Sequence, residues 1–236
     1  MKYPTGLYIN AANLENLAKV LVRFSIQHGQ AEESIPLQNI KNCTEAIKNG
    51  NFKEAQTHYS NVGLGKEDFR DWVPQPVYEH EDKRDVSITF QALLNCWCSL
   101  VEHASKCSKI PHVKMKFPTS LTVTSPRLQD ITAVLIRFCI QHGQPEESLQ
   151  LQSMKNCAKA IEENNLKDAQ IHYFKVGFQR DEFCEWVPQP VYEHEKKGDA
   201  RNTFEALLNS WSFTVQHVKI DGIKFEKLKI INRIDL

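Results

Sequence analysis

The chain is predicted to be all-α: two tandem homologous four-helix domains, 1–114 and 115–228, followed by a C-terminal tail, 229–236. Three observations predict this. The chain aligns with itself without gaps at an offset of 114 residues, with about half of the aligned positions identical, which is the signature of a duplication. Apolar residues recur three and four positions apart in long stretches of both copies, the period of an amphipathic helix. The composition, 41% hydrophobic and 25% charged over 236 residues, is that of an ordinary folded protein.

The matches cluster. RFSIQHGQAEES from Arg23 returns as RFCIQHGQPEES from Arg137, WVPQPVYEHE from Trp72 returns unchanged from Trp186, and ALLN-x-W from Ala92 returns from Ala206. The period far exceeds a solenoid repeat, and each copy is long enough to bury its own core. The two copies are expected to pack as an internal pseudo-dimer, a two-fold-like interface made intramolecular by fusion.

Within each copy the elements follow in order. Leu14, Leu17, Leu21 and Phe24, matched by Leu128, Ile131, Leu135 and Phe138, mark a first helix that stops before Gly29 or Gly143. Ser125-Pro126 reads as the cap and first turn of the second copy's version. A second helix is expected to open at Ala31-Glu32-Glu33 or Pro145-Glu146-Glu147, where acids favour the positive end of the dipole. Its buried stripe is Leu37, Ile40, Thr44 and Ile47, with Cys43 alongside. A turn at 48–51 leads to a third helix with Phe52, Ala55, Tyr59 and Val62 on one face. The fourth, from about Asp85 to about His103, turns Val86, Phe90, Leu93, Leu94, Trp97 and Val101 inward. Short minor strands are expected at 7–9, 121–123 and 223–231. The segment from Ala46 to Tyr59 resembles the inner half of a tetratricopeptide hairpin. It does not recur every 34 residues and reads as a generic helical hairpin.

Function classes narrow by exclusion. Equal numbers of basic and acidic residues, 29 each, argue against nucleic acid or an anionic membrane as partner. No apolar run reaches the roughly 18 residues of a membrane span, and the first ten residues lack a signal-peptide core, so a cytoplasmic protein is expected. Seven cysteines without C-x-x-C spacing point to reduced thiols. Cys96-x-Cys98 faces Ser210 and Ser212 in the second copy, which speaks against a redox or metal role. Glycine-rich nucleotide motifs and a Gly-x-Ser-x-Gly elbow are lacking.

The candidate binding residues are Trp72, Gln75, Tyr78, Glu79, His80 and Glu81, with Trp186, Gln189, Tyr192, Glu193, His194 and Glu195. Pro-x-Pro prefers extended backbone that presents its neighbours outward, and Trp and Tyr supply contact area at low entropic cost. The competing reading makes Trp72 and Tyr78 staples of a long connection. Residues 66–85 and 180–199 are each net negative by three, which suits a basic partner protein, whereas 105–116 carry four lysines and no acid.

Arg23 and Arg137 sit inside apolar helices and need carboxylates, for which Glu32, Glu33, Glu79 and Glu81 are the candidates; a substrate-anchoring arginine would instead open into a pocket. Four histidine pairs match between copies, His28 with His142, His58 with His172, His80 with His194 and His103 with His217, but none has metal-ligand spacing. The expected function is a non-catalytic protein-binding module, an adaptor or immunity-type inhibitor, with no catalytic residue, metal or cofactor. The alternative is a metal-dependent or pocket-based enzyme using His28, His58, His80 and nearby carboxylates.

Overall fold

The computed structural model describes residues 11–62, 69, 72–79, 81–107, 127–176, 183, 186–191, 195–217, 219–220 and 223–224. They form α1 (Ala11–Gln27), α2 (Ile35–Lys48), α3 (Phe52–Val62), α4 (Lys83–Cys107), α5 (Leu128–Gln141), α6 (Leu149–Glu162), α7 (Leu166–Lys175) and α8 (Lys197–His217). Strands β1 (Lys219–Ile220) and β2 (Ile223–Lys224) pair antiparallel. The all-α class is as predicted. β2 overlaps the strand expected at 223–231, and those expected at 7–9 and 121–123 fall outside the described residues. No helix among the described residues is long and apolar enough to cross a membrane.

Four helix ends share one hydrogen-bond pattern. At Gly29, with φ of 107°, the amide reaches back to Ile26 and that of Gln30 to Ser25, satisfying carbonyls that α1 leaves without partners. Gly143 does the same for α5 and Gly50 for α2. At the end of α6 the left-handed position is taken by Asn164, with φ of 55°.

Five expected helix boundaries move. α2 starts at Ile35 and α6 at Leu149, four residues later than expected. Ser34 and Ser148 are extended, and their amides close tight turns onto the carbonyls of Ala31 and Pro145, so Glu32, Glu33, Glu146 and Glu147 precede the helices and do not occupy their first turns. α5 starts at Leu128 with Arg127 as its cap residue, the amides of Asp130 and Ile131 both closing on the Arg127 carbonyl; Ser125 and Pro126, expected as cap and first turn, lie outside the described residues. α4 begins at Lys83 and runs to Cys107, longer than expected at both ends.

The predicted stripes are buried. Leu14, Leu17 and Leu21 of α1, Leu37, Ile40 and Ile47 of α2, Ala55 and Tyr59 of α3, and Phe90, Leu93 and Trp97 of α4 make one core cluster; the matching residues of α5 to α8 make another. The clusters trade members, however. Ala206 of α8 belongs to the first, and Ile88 and Ala92 of α4 belong to the second. The helix that closes each half therefore also packs on its counterpart, while α1 touches α8 and α4 touches α5.

Two reciprocal ion pairs cross the same junction. Arg23 Nε donates to Asp199 Oδ2 at 2.9 Å and its Nη2 to Oδ1, and Arg137 Nε donates to Asp85 Oδ2 at 2.6 Å and its Nη2 to Oδ1. This corrects the expected partners. Glu32 and Glu33 lie in an exposed turn, Glu79 is exposed, and Glu81 is taken by its own loop. The arginine side chains are also about half exposed, at 44% and 51%, rather than buried. Exposed pairs of this kind contribute up to about 1 kcal/mol each, so the apolar contact of α4 with α8 supplies most of the cohesion and the ion pairs fix its register.

Candidate functional site

The loop before α4 is built from the end of α1. His28 follows Gln27 and is 2% exposed; its Nδ1 lies 2.9 Å from the Gln75 carbonyl, and its own carbonyl accepts the Gln75 amide at 3.1 Å. His142 holds Gln189 in the same way, at 2.7 Å and 3.1 Å. A carbonyl acceptor at Nδ1 places a ring proton on that nitrogen. One histidine thus clamps the loop with side chain and main chain at once.

The rest of the loop follows from this clamp. Trp72 stacks on Phe69 at 5.7 Å and meets Phe90 edge-on at 4.9 Å; Trp186 does likewise with Phe183 and Phe204. Pro74 and Pro188 are buried, whereas Val73, Gln75, Pro76 and Val77, and their matches Val187, Gln189, Pro190 and Val191, are exposed. The Gln75 amide group donates to the Val73 carbonyl at 2.9 Å, and Glu81 Oε2 accepts the amides of Val77 at 2.7 Å and Tyr78 at 3.1 Å. Glu195 Oε2 accepts the Val191 amide at 2.9 Å. The loop is extended and tied through the amides of Gln75, Val77 and Tyr78 and the carbonyls of Val73 and Gln75.

Among the candidate residues, then, Trp72 and Trp186 turn into their own halves, Gln75, Gln189 and Glu79 face solvent, and Glu81 and Glu195 brace the loops. Tyr78 is half-buried, and its hydroxyl accepts from Gln27 Nε2 at 2.8 Å. His80, Tyr192, Glu193 and His194 lie outside the described residues.

The two loops and the junction line a partly open cavity of about 180 Å³. Val20, Arg23, Phe24, Gln27 and His28 of α1 line it with Val134, Arg137, Phe138, Gln141 and His142 of α5; Asp85, Val86 and Thr89 of α4 meet Asp199 and Thr203 of α8; Tyr78, Glu81 and Glu195 complete the wall. Eight pairs of these residues stand at matching positions of the two halves, and all eight are identical, although only about half of all positions match. Arg23 does open into a pocket, as the anchoring reading required.

In the sequence Arg23 and His28 stood as separate candidates, one for an anchor and one for metal or pocket chemistry, and were not joined in one site. The signal was available: Arg23, Phe24, Gln27 and His28 sit at i, i+1, i+4 and i+5, one face of a helix, inside the most closely repeated stretch of α1.

His28 and His58 do not share a site: His58 is held elsewhere by Asn39 Oδ1, 2.9 Å from its Nδ1, and among the described residues no three His, Cys, Asp or Glu side chains gather as a metal site would require. Cys43, Cys96, Cys98, Cys139 and Cys157 are free and buried, and burial pushes the thiols of Cys43 and Cys157 up to about 12, which keeps them protonated and unreactive. No family model, curated protein or solved structure matches the chain.

Proposed function

We propose that the protein is a non-catalytic binding module, an adaptor or immunity-type inhibitor, in which two equivalent halves act as an internal pseudo-dimer and present the same loop twice. The observation that carries this reading is the alternation of the loop: Trp72 and Pro74 anchor it inward, while Val73 (45% exposed), Gln75, Pro76 and Val77 (51% exposed) face out, and the second half repeats the arrangement. A strip pre-organised by the His28 clamp has little conformational freedom left to lose on binding, which favours affinity. Two identical strips on one body suit a partner with two like surfaces, whose second contact becomes intramolecular. The balanced charge fits a protein rather than nucleic acid as partner, and the reduced, buried thiols fit a cytoplasmic setting.

The test uses the outward residues, because replacing Trp72 would release the core contact. Val77→Asp with Val191→Asp should abolish retention of protein partners on the immobilised chain while leaving the helical circular dichroism unchanged, and either single variant should weaken it. Unchanged retention by the double variant removes the strips as the contact.

A further inference from the structure

The hydrogen bonds that shape each outward strip also decide how a partner can meet it. Pro74 and Pro76 carry no N–H. The Gln75 amide donates to the His28 carbonyl at 3.1 Å, and those of Val77 and Tyr78 donate to Glu81 Oε2 at 2.7 Å and 3.1 Å. From Pro74 to Tyr78, therefore, every main-chain donor is missing or already spent. In the second half Pro188 and Pro190 lack the N–H, Gln189 donates to the His142 carbonyl at 3.1 Å, and Val191 donates to Glu195 Oε2 at 2.9 Å. A partner adding itself as a β-strand needs donors along the edge it pairs with, and this edge supplies none.

Another regular backbone form suits the strip. Proline holds φ at about −65°, closer to polyproline II than to a strand, and the residue before a proline is kept in the same extended region. The two restraints alternate from Val73 to Pro76. With three residues per turn, positions three apart share an edge; Val73 and Pro76 are both exposed, while Pro74 between them is buried.

The outward side chains repeat more strictly than exposed neighbours do. Val73, Gln75, Pro76 and Val77 return as Val187, Gln189, Pro190 and Val191, whereas exposed Asp82 is matched by Lys196 and exposed Arg84 by Gly198. Most surface substitutions are energetically neutral, so strict repetition on a surface marks side chains that are read. The segments containing the strips, 66–85 and 180–199, are each net negative by three.

We propose that each strip is a polyproline-type ligand for a partner domain with a shallow groove lined by aromatic rings and rimmed by lysine or arginine. The rings take Val73 and Pro76, indole and phenol groups supply the donors that the strip lacks, and the basic rim meets the acidic surroundings. This rests on the outward strips being the contact surface and adds the class of partner.

Surface plasmon resonance of the full chain over immobilised polyproline-reading domains of the WW and Src-homology classes, including members with basic rims, tests it. Binding is expected with a dissociation constant below about 100 μM, and a free proline decamer at about 1 mM should displace it. Pro76→Ala with Pro190→Ala restores an N–H and loosens the backbone of both strips. Affinity should then fall at least about tenfold with the helical circular dichroism unchanged, whereas a strand-adding partner would bind as well or better. The decamer competition needs no variant, so it decides the matter even if the double variant fails to fold. Absence of binding to both classes, binding that the decamer leaves in place, or unchanged affinity of a folded proline variant would each overturn the proposal. Its failure is separable from that of the strips: if Val77→Asp with Val191→Asp abolishes retention of partners that the decamer does not displace, the strips remain the contact and only their polyproline reading falls.

Discussion

In the first half the indole N–H of Trp97 donates to Thr44 Oγ1 on α2 at 3.2 Å, whereas in the second the matching Trp211 donates to Thr132 Oγ1 on α5 at 3.0 Å. The position matching Thr44 is Ala158, and the position matching Thr132 is Ala18. Each half therefore carries one threonine and one alanine, in opposite places, around the same fully buried indole. The buried phenols instead use matching positions of the last helix with different groups: Tyr59 donates to Glu102 at 3.4 Å, whereas Tyr173 meets Gln216, the match of Glu102, at 2.8 Å and Ser212 at 2.6 Å. A buried donor must find an acceptor, but the helix that supplies it is negotiable. The cavity differs from the core in this respect: its eight matched pairs are identical, as expected where the groups themselves are required rather than any group that satisfies a donor.

The exchange in the core can be broken and then repaired. Thr44→Ala leaves the Trp97 N–H buried without an acceptor, and a loss of about 1–3 kcal/mol is expected from the shift of the urea midpoint. Adding Ala18→Thr should return most of it by giving the first half the solution used by the second. If the second change adds further loss, the halves are not interchangeable at this site.

A smaller effect is expected at the second pair of histidines. His58 Nδ1 meets Asn39, but Ser153 stands at the matching position and His172 Nδ1 is buried without a hydrogen-bond partner. Ser153→Asn should stabilise the protein by about 1 kcal/mol in the same denaturation experiment, and Asn39→Ser should cost about as much. The smallest effect is expected at the turn after α6. Asn164→Gly relieves a left-handed backbone but frees the unfolded chain, so its net change should stay within about 0.5 kcal/mol, while Asn164→Ala should cost about 1 kcal/mol because alanine lacks asparagine's tolerance of that conformation.

How much of this was legible in the sequence depended on the range of the interaction. Helix stripes such as Leu37, Ile40, Thr44 and Ile47 are local and periodic, and all four are buried as expected. The start of α2 was misplaced because acids after a glycine turn resemble a first turn, while Ser34, the true boundary, makes no side-chain cap bond that would mark it. The partners of Arg23 and Arg137 were beyond reach for another reason. Asp199 and Asp85 lie 176 and 52 residues away, and only the packing of α4 on α8 brings them together. The loop residues from Trp72 to Glu81 are contiguous in sequence, yet His28, the side chain that shapes the loop, stands 47 residues before Gln75.

The central claim is that two equivalent halves close on one another, and residues 1–114 alone carry everything this closure needs. Arg23 and Asp85 are both present, each currently paired with the other half's counterpart of the other. Sedimentation equilibrium of that segment expressed by itself should find a helical dimer, with Arg23 of one copy on Asp85 of the next, and Arg23→Asp should dissociate it. A folded segment that remains monomeric at concentrations of about 100 μM, well above the dissociation constant of an ordinary dimer, would contradict the account.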